Sequence, residues 1–136
     1  MDSVMLFVSK KEFQGYAAIA RNACVKALKK LHKKGIIELH LVTNEEMRRV
    51  SRETRDKDKA TNVLSFESLG FPRPDAKNYL GEIYLAPAFI EKKKQDIELL
   101  AVHGILHLLQ YTHETKRDRM IMERVEDEIL SFIVKS

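Results

Sequence analysis

The feature that most constrains the fold of this chain is a segment, beginning near Asp96, whose apolar residues leave no polar face. Its apolar positions are Ile97, Leu99, Leu100, Val102, Ile105, Leu106, Leu108 and Leu109. A helix that is apolar on every side is a buried one, so the segment predicts a central helix enclosed by other elements. The 136 residues are enough for one domain with a single sizeable core. We therefore predict one domain over residues 1–136.

Four stretches have the composition or the alternation of β-strands. They are Ser3–Ser9, Ile36–Thr43, Asn62–Phe66 and Leu80–Ala86. In the second stretch the apolar residues alternate with Glu38 and His40, which predicts a half-buried strand with these two side chains on its other face. We interpret His40, together with His32, as a surface or edge residue without a chemical role.

Helical spacing or capping marks the other elements. From Phe13 the apolar residues follow helical spacing into a basic turn, Lys29 to Lys34, and Gly35 is the expected stop. Further helices are predicted from Asn44 to about Thr54, from Pro87, and from Asp118 to Val134. Helices and strands mix without strict alternation, so we expect a compact α+β domain: a mixed four-stranded sheet packed with helices.

Composition excludes some classes of protein. No apolar run approaches the roughly 18 residues that a membrane helix needs, so we expect no membrane association. The chain starts without the features of a signal peptide, and Cys24 has no partner for an internal disulfide. We therefore expect a cytoplasmic protein with Cys24 as a packed core thiol. A net charge of +4 modestly favours the binding of polyanions such as nucleic acids.

Three of the five histidines lie within the sequence His103-Gly-Ile-Leu-His107-Leu-Leu-Gln-Tyr-Thr-His113. His103 and His107 are four apart, so they share one helix face. His113 joins them only if the chain leaves the helix and turns back near Gln110. Metal hydrolases with a third ligand after such a turn use this spacing. Three neutral imidazoles plus a water make an open zinc site, and we predict one Zn²⁺ on a zincin-like metal-binding helix.

Other interpretations of these histidines stand beside this one. A single histidine on an apolar helix is more often a satisfied core residue than a ligand, and a pair four apart can arise by chance. Three buried imidazoles without a shared partner would be costly, which favours a shared ion. Gly104 stands where zinc peptidases of the HExxH type have their glutamate, so peptide hydrolysis lacks its usual general base.

The same residues resemble a known family, the bacterial YbeY-type metal-dependent endoribonucleases of ribosomal RNA maturation. Its signature H-G-x-L-H-L-x-G-Y-D-H is similar to residues 103–113. Residues 55–66, RDKDKATNVLSF, resemble the family's R-G-K-D-K-P-T-[ND]-V-L-S-F, and residues 80–83, LGEI, resemble its L-G-[DE]-I. The similarity runs from about Ile37 to Leu130, in the same order and at the same separations.

The resemblance implies a zinc-dependent single-strand endoribonuclease that acts in 16S rRNA 3′-end maturation and ribosome quality control. The expected partners are rRNA and the small ribosomal subunit, and DNA is not expected. Arg55 matches the arginine of the motif, and a guanidinium can grip two phosphate oxygens and stabilise transition-state charge. Lys57 and Lys59 are candidates for holding flanking phosphates. The simpler interpretation is that this charged loop is only solvated.

Some residues depart from the family pattern. Gln110 replaces a glycine at the turn before His113, where a positive φ is expected to cost on the order of 1 kcal/mol. Thr112 replaces an aspartate beside His113 and so removes a carboxylate, for which Glu114 is a candidate substitute. Other departures are Asp56, Ala60 and Glu67, in place of glycine, proline and proline. The second hypothesis is therefore an RNA-binding ribosome-assembly factor with a mainly structural metal. No aromatic stacking platform is evident in the sequence.

Overall fold

The computed structural model describes residues 4–55, 62–67 and 78–135 of the chain. None of the helices in these ranges is long and apolar enough to cross a membrane. In chain order the elements are β1 (Val4–Val8), a 3₁₀ turn (Lys11–Phe13), α1 (Gln14–Lys30), β2 (Ile36–Leu41), α2 (Asn44–Arg55), β3 (Val63–Glu67), β4 (Tyr79–Leu85), α3 (Pro87–Lys92), α4 (Ile97–Leu108) and α5 (Lys116–Lys135).

The four strands form one mixed sheet in the order β1-β2-β4-β3. β2 pairs in parallel with both β1 and β4, whereas β3 pairs with β4 in the antiparallel direction. This arrangement confirms the predicted α+β domain with a mixed four-stranded sheet. β1 and β3 form the edges of the sheet in the described part of the chain. The antiparallel edge strand β3 borders the candidate site.

The core lies between one face of the sheet and helices α1 and α4. This inner face carries Ile37, Leu39 and Leu41 of β2 with Ile83 and Leu85 of β4, all fully buried. The predicted burial of the apolar helix α4 is confirmed as well, since its Ala101, Val102, Ile105 and Leu106 are fully buried. Cys24 of α1 is a core thiol as expected, and burial raises its pKa to about 12.

The outer face of the sheet differs from the sequence-based expectation. Glu38 is only 7% exposed. His40 is half-buried, lies 3.1 Å from Glu38 through its Nε2, and stacks between Phe7 at 4.6 Å and Tyr84 at 4.4 Å. With Phe66 edge-on to Tyr84, these rings form an aromatic row across all four strands. The interpretation of His40 as a surface or edge residue was therefore wrong about its position, since it is half-buried on the inner strand β2. The aromatic row was not foreseen, because it joins strands far apart in the sequence.

The end of α1 also differs in detail. The helix ends at Lys30, and His32, not Gly35, adopts the positive φ (54°) that follows it. Gly35 serves a different purpose, since a Cβ there would lie 2.5 Å from the Leu80 side chain and 2.9 Å from the Asn78 carbonyl oxygen. The glycine thus permits the close approach of the chain to the start of β4.

Candidate metal centre and adjoining cleft

Helix α4 carries His103 and His107 one turn apart, and both side chains are half-buried. The helix ends one residue after His107. Gln110 then takes a positive φ of 77°, and the Tyr111 N–H donates to the Leu106 carbonyl at 2.9 Å. This left-handed residue followed by a backward hydrogen bond is the usual way for a helix to end at a glycine. The turn predicted from the histidine spacing is present, with glutamine in place of glycine.

The turn brings His113 back to the helical pair. Its ring centre lies 5.1 Å from that of His107 and 6.0 Å from that of His103. Two imidazoles bound to one tetrahedral ion have ring centres about 5 Å apart, so the first pair matches this spacing and the second is somewhat wider. Within the described residues no group of three or more His, Cys, Asp or Glu side chains already has the arrangement of a metal site. The three predicted ligands are thus neighbours, but the rings of His103 and His113 lie further apart than two imidazoles bound to one ion would.

The Nδ1 atom of His107 lies 3.2 Å from the backbone carbonyl oxygen of Tyr111. A carbonyl oxygen only accepts, so Nδ1 must carry the proton in this hydrogen bond. In the neutral ring Nε2 then keeps its lone pair, which is the form of histidine that binds a metal. The donor chemistry at His107 therefore fits a divalent ion such as zinc.

The Nδ1 atom of His103 contacts the carboxylate of Glu126, which comes from α5. Burial, with His113 and His107 nearby, lowers the pKa of His103. Burial also raises the pKa of Glu126 to about 7, with Asp127 and Glu123 adding to the effect. Sequence reasoning missed Glu126, although a signal was present: it lies four residues after Met122 and three before Ile129, on the buried stripe of α5.

A cleft of about 410 Å³ adjoins the histidines. Its walls come from the edge strand β3, from α4 and from the turn after α4: Val63, Ser65, Glu67, Gly104, His107, Gln110, Tyr111 and Thr112. His107 is thus both a predicted ligand and part of the cleft wall. The Ser65 hydroxyl, which sequence reasoning did not single out, is the neutral hydrogen-bonding side chain that β3 contributes to this cleft.

Close packing against the sheet explains why residue 104 is a glycine. A Cβ at this position would lie 3.0 to 3.3 Å from three side-chain atoms of Ile83 in β4. Helix α4 therefore approaches the sheet closely here, and a Cβ would require Ile83 to shift by a few tenths of an ångström. With glycine at this position, the site lacks the glutamate of the HExxH peptidases.

The two replaced family residues near His113 have specific contacts. The Thr112 hydroxyl donates to Asp118 in the first turn of α5 at 3.2 Å. The Gln110 side-chain amide donates to Glu67 at the end of β3. Glu114, the candidate substitute for the missing aspartate, is exposed.

The predicted RNA-binding residues are largely beyond the described part of the chain. Arg55 is the last residue of α2, and its side chain is outside the described set. Lys57 and Lys59 lie outside the described residues altogether. Their roles stay predictions, and so does metal binding by His103, His107 and His113, which the structure places next to one another.

Known proteins resemble this chain over most of its length. It is 37% identical to Endoribonuclease YbeY of Francisella tularensis subsp. novicida, covering 70% of this chain and 65% of that protein. Endoribonuclease YbeY of F. tularensis subsp. tularensis strain SCHU S4 is likewise 37% identical, covering 70% of this chain and 63% of the relative. The matched part therefore spans slightly less than two thirds of the length of these relatives.

The fold has a solved counterpart. The solution structure of TM1509 from Thermotoga maritima superposes with a TM-score of 0.62 at 20% identity, covering 96% of this chain and 88% of that one. At such identity the similarity concerns the fold alone, and it supports the α+β architecture described above. Residues 7–134 match the family described as Endoribonuclease YbeY, and the chain therefore belongs to that family.

Proposed function

We propose that this protein is a zinc-dependent endoribonuclease that hydrolyses phosphodiesters of single-stranded RNA. The observation that carries the proposal is the convergence of His107 and His113, 5.1 Å apart between ring centres, beside a cleft that His107 itself lines. Membership of the Endoribonuclease YbeY family supports the reaction class. His103, His107 and His113 are the residues that would hold one zinc ion. When bound, the ion would supply Lewis-acid activation of water for attack on a phosphodiester.

The chain's own residues prepare this chemistry. The Tyr111 carbonyl holds His107 with its Nδ1 protonated, which leaves Nε2 as the ligating nitrogen. The cleft volume of about 410 Å³ is within the range of small-ligand sites, about 300–1,000 Å³. One nucleotide fits such a space, and the preference for single-stranded RNA is proposed from the family resemblance. Ser65 lines the cleft, and its hydroxyl would hydrogen-bond to an RNA strand lying along β3.

Cationic contacts belong to the same proposal. Arg55 would bind the scissile phosphate and stabilise its transition-state charge, and Lys57 and Lys59 would hold flanking phosphates. The resemblance of residues 55–66 to the family motif supports these assignments. From the same family resemblance we propose a biological role in maturation of the 16S rRNA 3′ end and in ribosome quality control. This role would be carried out in the cytoplasm, with the small ribosomal subunit as partner.

The experiment is cleavage of a fluorescently labelled single-stranded RNA by zinc-loaded protein. Chelation and the substitution His107→Ala are each expected to abolish cleavage. The matched control is His32→Asn, because His32 is exposed and adopts a positive φ that asparagine tolerates. The control should cleave RNA at the original rate. Cleavage that survives both chelation and His107→Ala comes from a contaminant and overturns the proposal.

One observation favours a second candidate function, an RNA-binding ribosome-assembly factor with a structural metal. The position beside His113 carries Thr112, whose hydroxyl is bound to Asp118, and the candidate substitute Glu114 is exposed. Residue 112 therefore supplies no carboxylate that could act as a general base at this point. Zinc-loaded protein that binds the labelled RNA in a filter assay but does not cleave it would establish this second function.

A further inference from the structure

The contact between His103 and Glu126 joins the predicted ligand set to helix α5. The His103 Nδ1 and Glu126 Oε2 atoms are buried, and neither has a hydrogen-bond partner among the described residues. Each nevertheless contacts the other as an ion-pair partner. Without this neighbour, both atoms would lie buried with no polar contact among the described residues, which costs free energy.

The location of Glu126 makes the contact informative. The residue is 7% exposed and lies between Met122 and Ile129, which are fully buried on the same stripe of α5. An aliphatic side chain at this position would pack in the core without the cost of burying a carboxyl group. A leucine at position 126 would therefore stabilise the fold at least as well as the glutamate does. The contact of Glu126 with His103 indicates another role for this residue.

The two ring nitrogens of an imidazole have different roles when one of them binds a metal. An acceptor at Nδ1 selects the tautomer that carries its proton there, and Nε2 becomes the ligating nitrogen. His107 has such an acceptor in the Tyr111 carbonyl. The Glu126 carboxylate occupies the equivalent place at His103. An oxygen atom therefore lies beside the Nδ1 of each helical histidine, from the backbone at His107 and from α5 at His103.

We propose that Glu126 is a positioning residue, which holds His103 in the Nδ1–H tautomer with Nε2 free to bind the shared cation. This inference rests on the proposed function, because it assumes that the three histidines bind zinc. Glu126 itself touches neither the ion nor RNA and acts through His103. It also connects the predicted metal site to α5, the last helix in the described part of the chain.

The test compares Glu126→Ala and Glu126→Gln with Glu128→Gln, a control at an exposed position of the same helix. Zinc affinity is measured by competition with a chromophoric chelator. The tautomer of His103 is determined from the ¹⁵N chemical shifts of its ring in metal-free protein at pH 8. The free energy of unfolding of each metal-free variant is measured in urea.

We expect Glu126→Ala to lower zinc affinity about 10- to 100-fold and to reduce the Nδ1–H tautomer of His103. Glu126→Gln should show a smaller loss and keep the tautomer, because its side-chain oxygen offers an acceptor to Nδ1–H at the same place. The control Glu128→Gln should bind zinc as the unsubstituted chain does. Metal-free Glu126→Gln should be no less stable than the unsubstituted chain, since a buried carboxyl group is replaced by a neutral amide. A purely structural role predicts the reverse: lower stability with unchanged zinc affinity.

Two results would overturn the inference. One is a zinc affinity of Glu126→Ala equal to that of the unsubstituted protein, and the other is an Nε2–H tautomer of His103 in the unsubstituted protein. If the unsubstituted protein binds zinc and cleaves RNA while Glu126→Ala has no effect, only the positioning role is lost. If the unsubstituted protein does not bind zinc, the proposed function falls as well. Should Glu126→Ala fail to fold, Glu126→Gln and the tautomer of the unsubstituted chain decide the question.

Discussion

Gln110 donates a hydrogen bond from its side-chain amide to the carboxylate of Glu67. Gln110 belongs to the turn that returns His113 to the helical histidines, and Glu67 is the last residue of edge strand β3. Both residues replace others of the family pattern, a glycine and a proline respectively. The two departures therefore contact each other across the cleft, and the contact ties the turn to the sheet.

The turn at Gln110 should favour glycine over alanine. Its φ of 77° costs a residue with a Cβ on the order of 1 kcal/mol relative to glycine. Gln110→Gly relieves this strain but loses an exposed hydrogen bond, so we expect little net change in the free energy of unfolding. Gln110→Ala keeps the strain and loses the bond, so it should be less stable than Gln110→Gly by about 1 kcal/mol. Urea unfolding of both variants measures the difference, and equal stability would contradict the assigned conformation.

Zinc should stabilise the protein through His113. A ligand that binds only the folded state stabilises it by about 2.7 kcal/mol at about 100 times its Kd, so the melting temperature should rise with zinc and fall on chelation. His113→Ala is expected to lose most of this rise. The neighbouring Glu114→Ala should keep it, because Glu114 is not one of the three predicted ligands. Differential scanning calorimetry with and without zinc makes the comparison, and an undiminished shift in His113→Ala would exclude this residue as a ligand.

Arg55 should affect turnover without affecting the metal. We expect Arg55→Ala to reduce single-stranded RNA cleavage about 10²-fold, the scale of losing one transition-state donor, with unchanged zinc content. Lys92→Ala, at an exposed position at the end of α3, is the charge-matched control. Single-turnover cleavage and metal analysis of the same samples provide both readouts. An Arg55→Ala variant that cleaves at the original rate would remove Arg55 from the mechanism.

Features governed by local sequence were predictable. Helix α4 was predicted because an all-round apolar segment has to be buried, whatever packs against it. The return of His113 was predicted because three imidazoles at this spacing share an ion only after a turn. The positive φ of Gln110 was expected because this residue stands where the family pattern has a glycine, even though glutamine does not favour it.

Features that depend on tertiary contacts were not predictable. The Glu126–His103 contact joins two helices, and the stacking of His40 between Phe7 and Tyr84 joins three strands. Neither neighbour set can be read from a single sequence, because pairing order and register are set by the whole fold. The end of α1 was also not predicted correctly, because Gly35 was the expected stop and His32 takes the left-handed conformation instead.

Gly81 in the LGEI motif should tolerate no side chain. It adopts a φ of 145° at an irregularity in the β2–β4 pairing, where a Cβ would overlap the Phe66 carbonyl oxygen and lie 2.8 Å from Leu108. Gly81→Ala is expected to destabilise the fold by on the order of 3 kcal/mol. Gly15→Ala, in α1 with open space around it, should instead stabilise by about 0.5 kcal/mol. Urea unfolding checks both, and a Gly81→Ala protein of unchanged stability would contradict this register.

The cap of α2 should make stability depend on pH. Glu46 accepts hydrogen bonds from the Thr43 N–H at 3.0 Å, the Thr43 hydroxyl at 2.9 Å and the Ser9 hydroxyl at 3.0 Å. Partial burial by itself raises the pKa of this carboxyl, but the hydrogen bonds and the charge of Arg49 outweigh it and lower the pKa below its ordinary value of 4.5. The unfolded chain therefore binds the proton more tightly than the folded one. The stabilisation is present above about pH 4.5 and is lost as the pH falls through the lower, folded-state pKa.

Glu46→Ala should consequently cost about 1 kcal/mol of unfolding free energy at pH 7 and progressively less below pH 4.5. Glu45→Ala is the matched control, an exposed glutamate in the same first helical turn. The control retains the capping hydrogen bonds, so its smaller cost reflects only the interaction of a surface charge with the helix dipole. Urea unfolding from pH 7 to pH 3 measures both variants. A Glu46→Ala penalty that stays constant over this range would show that the carboxylate charge contributes nothing, and that the cap acts through neutral hydrogen bonds alone.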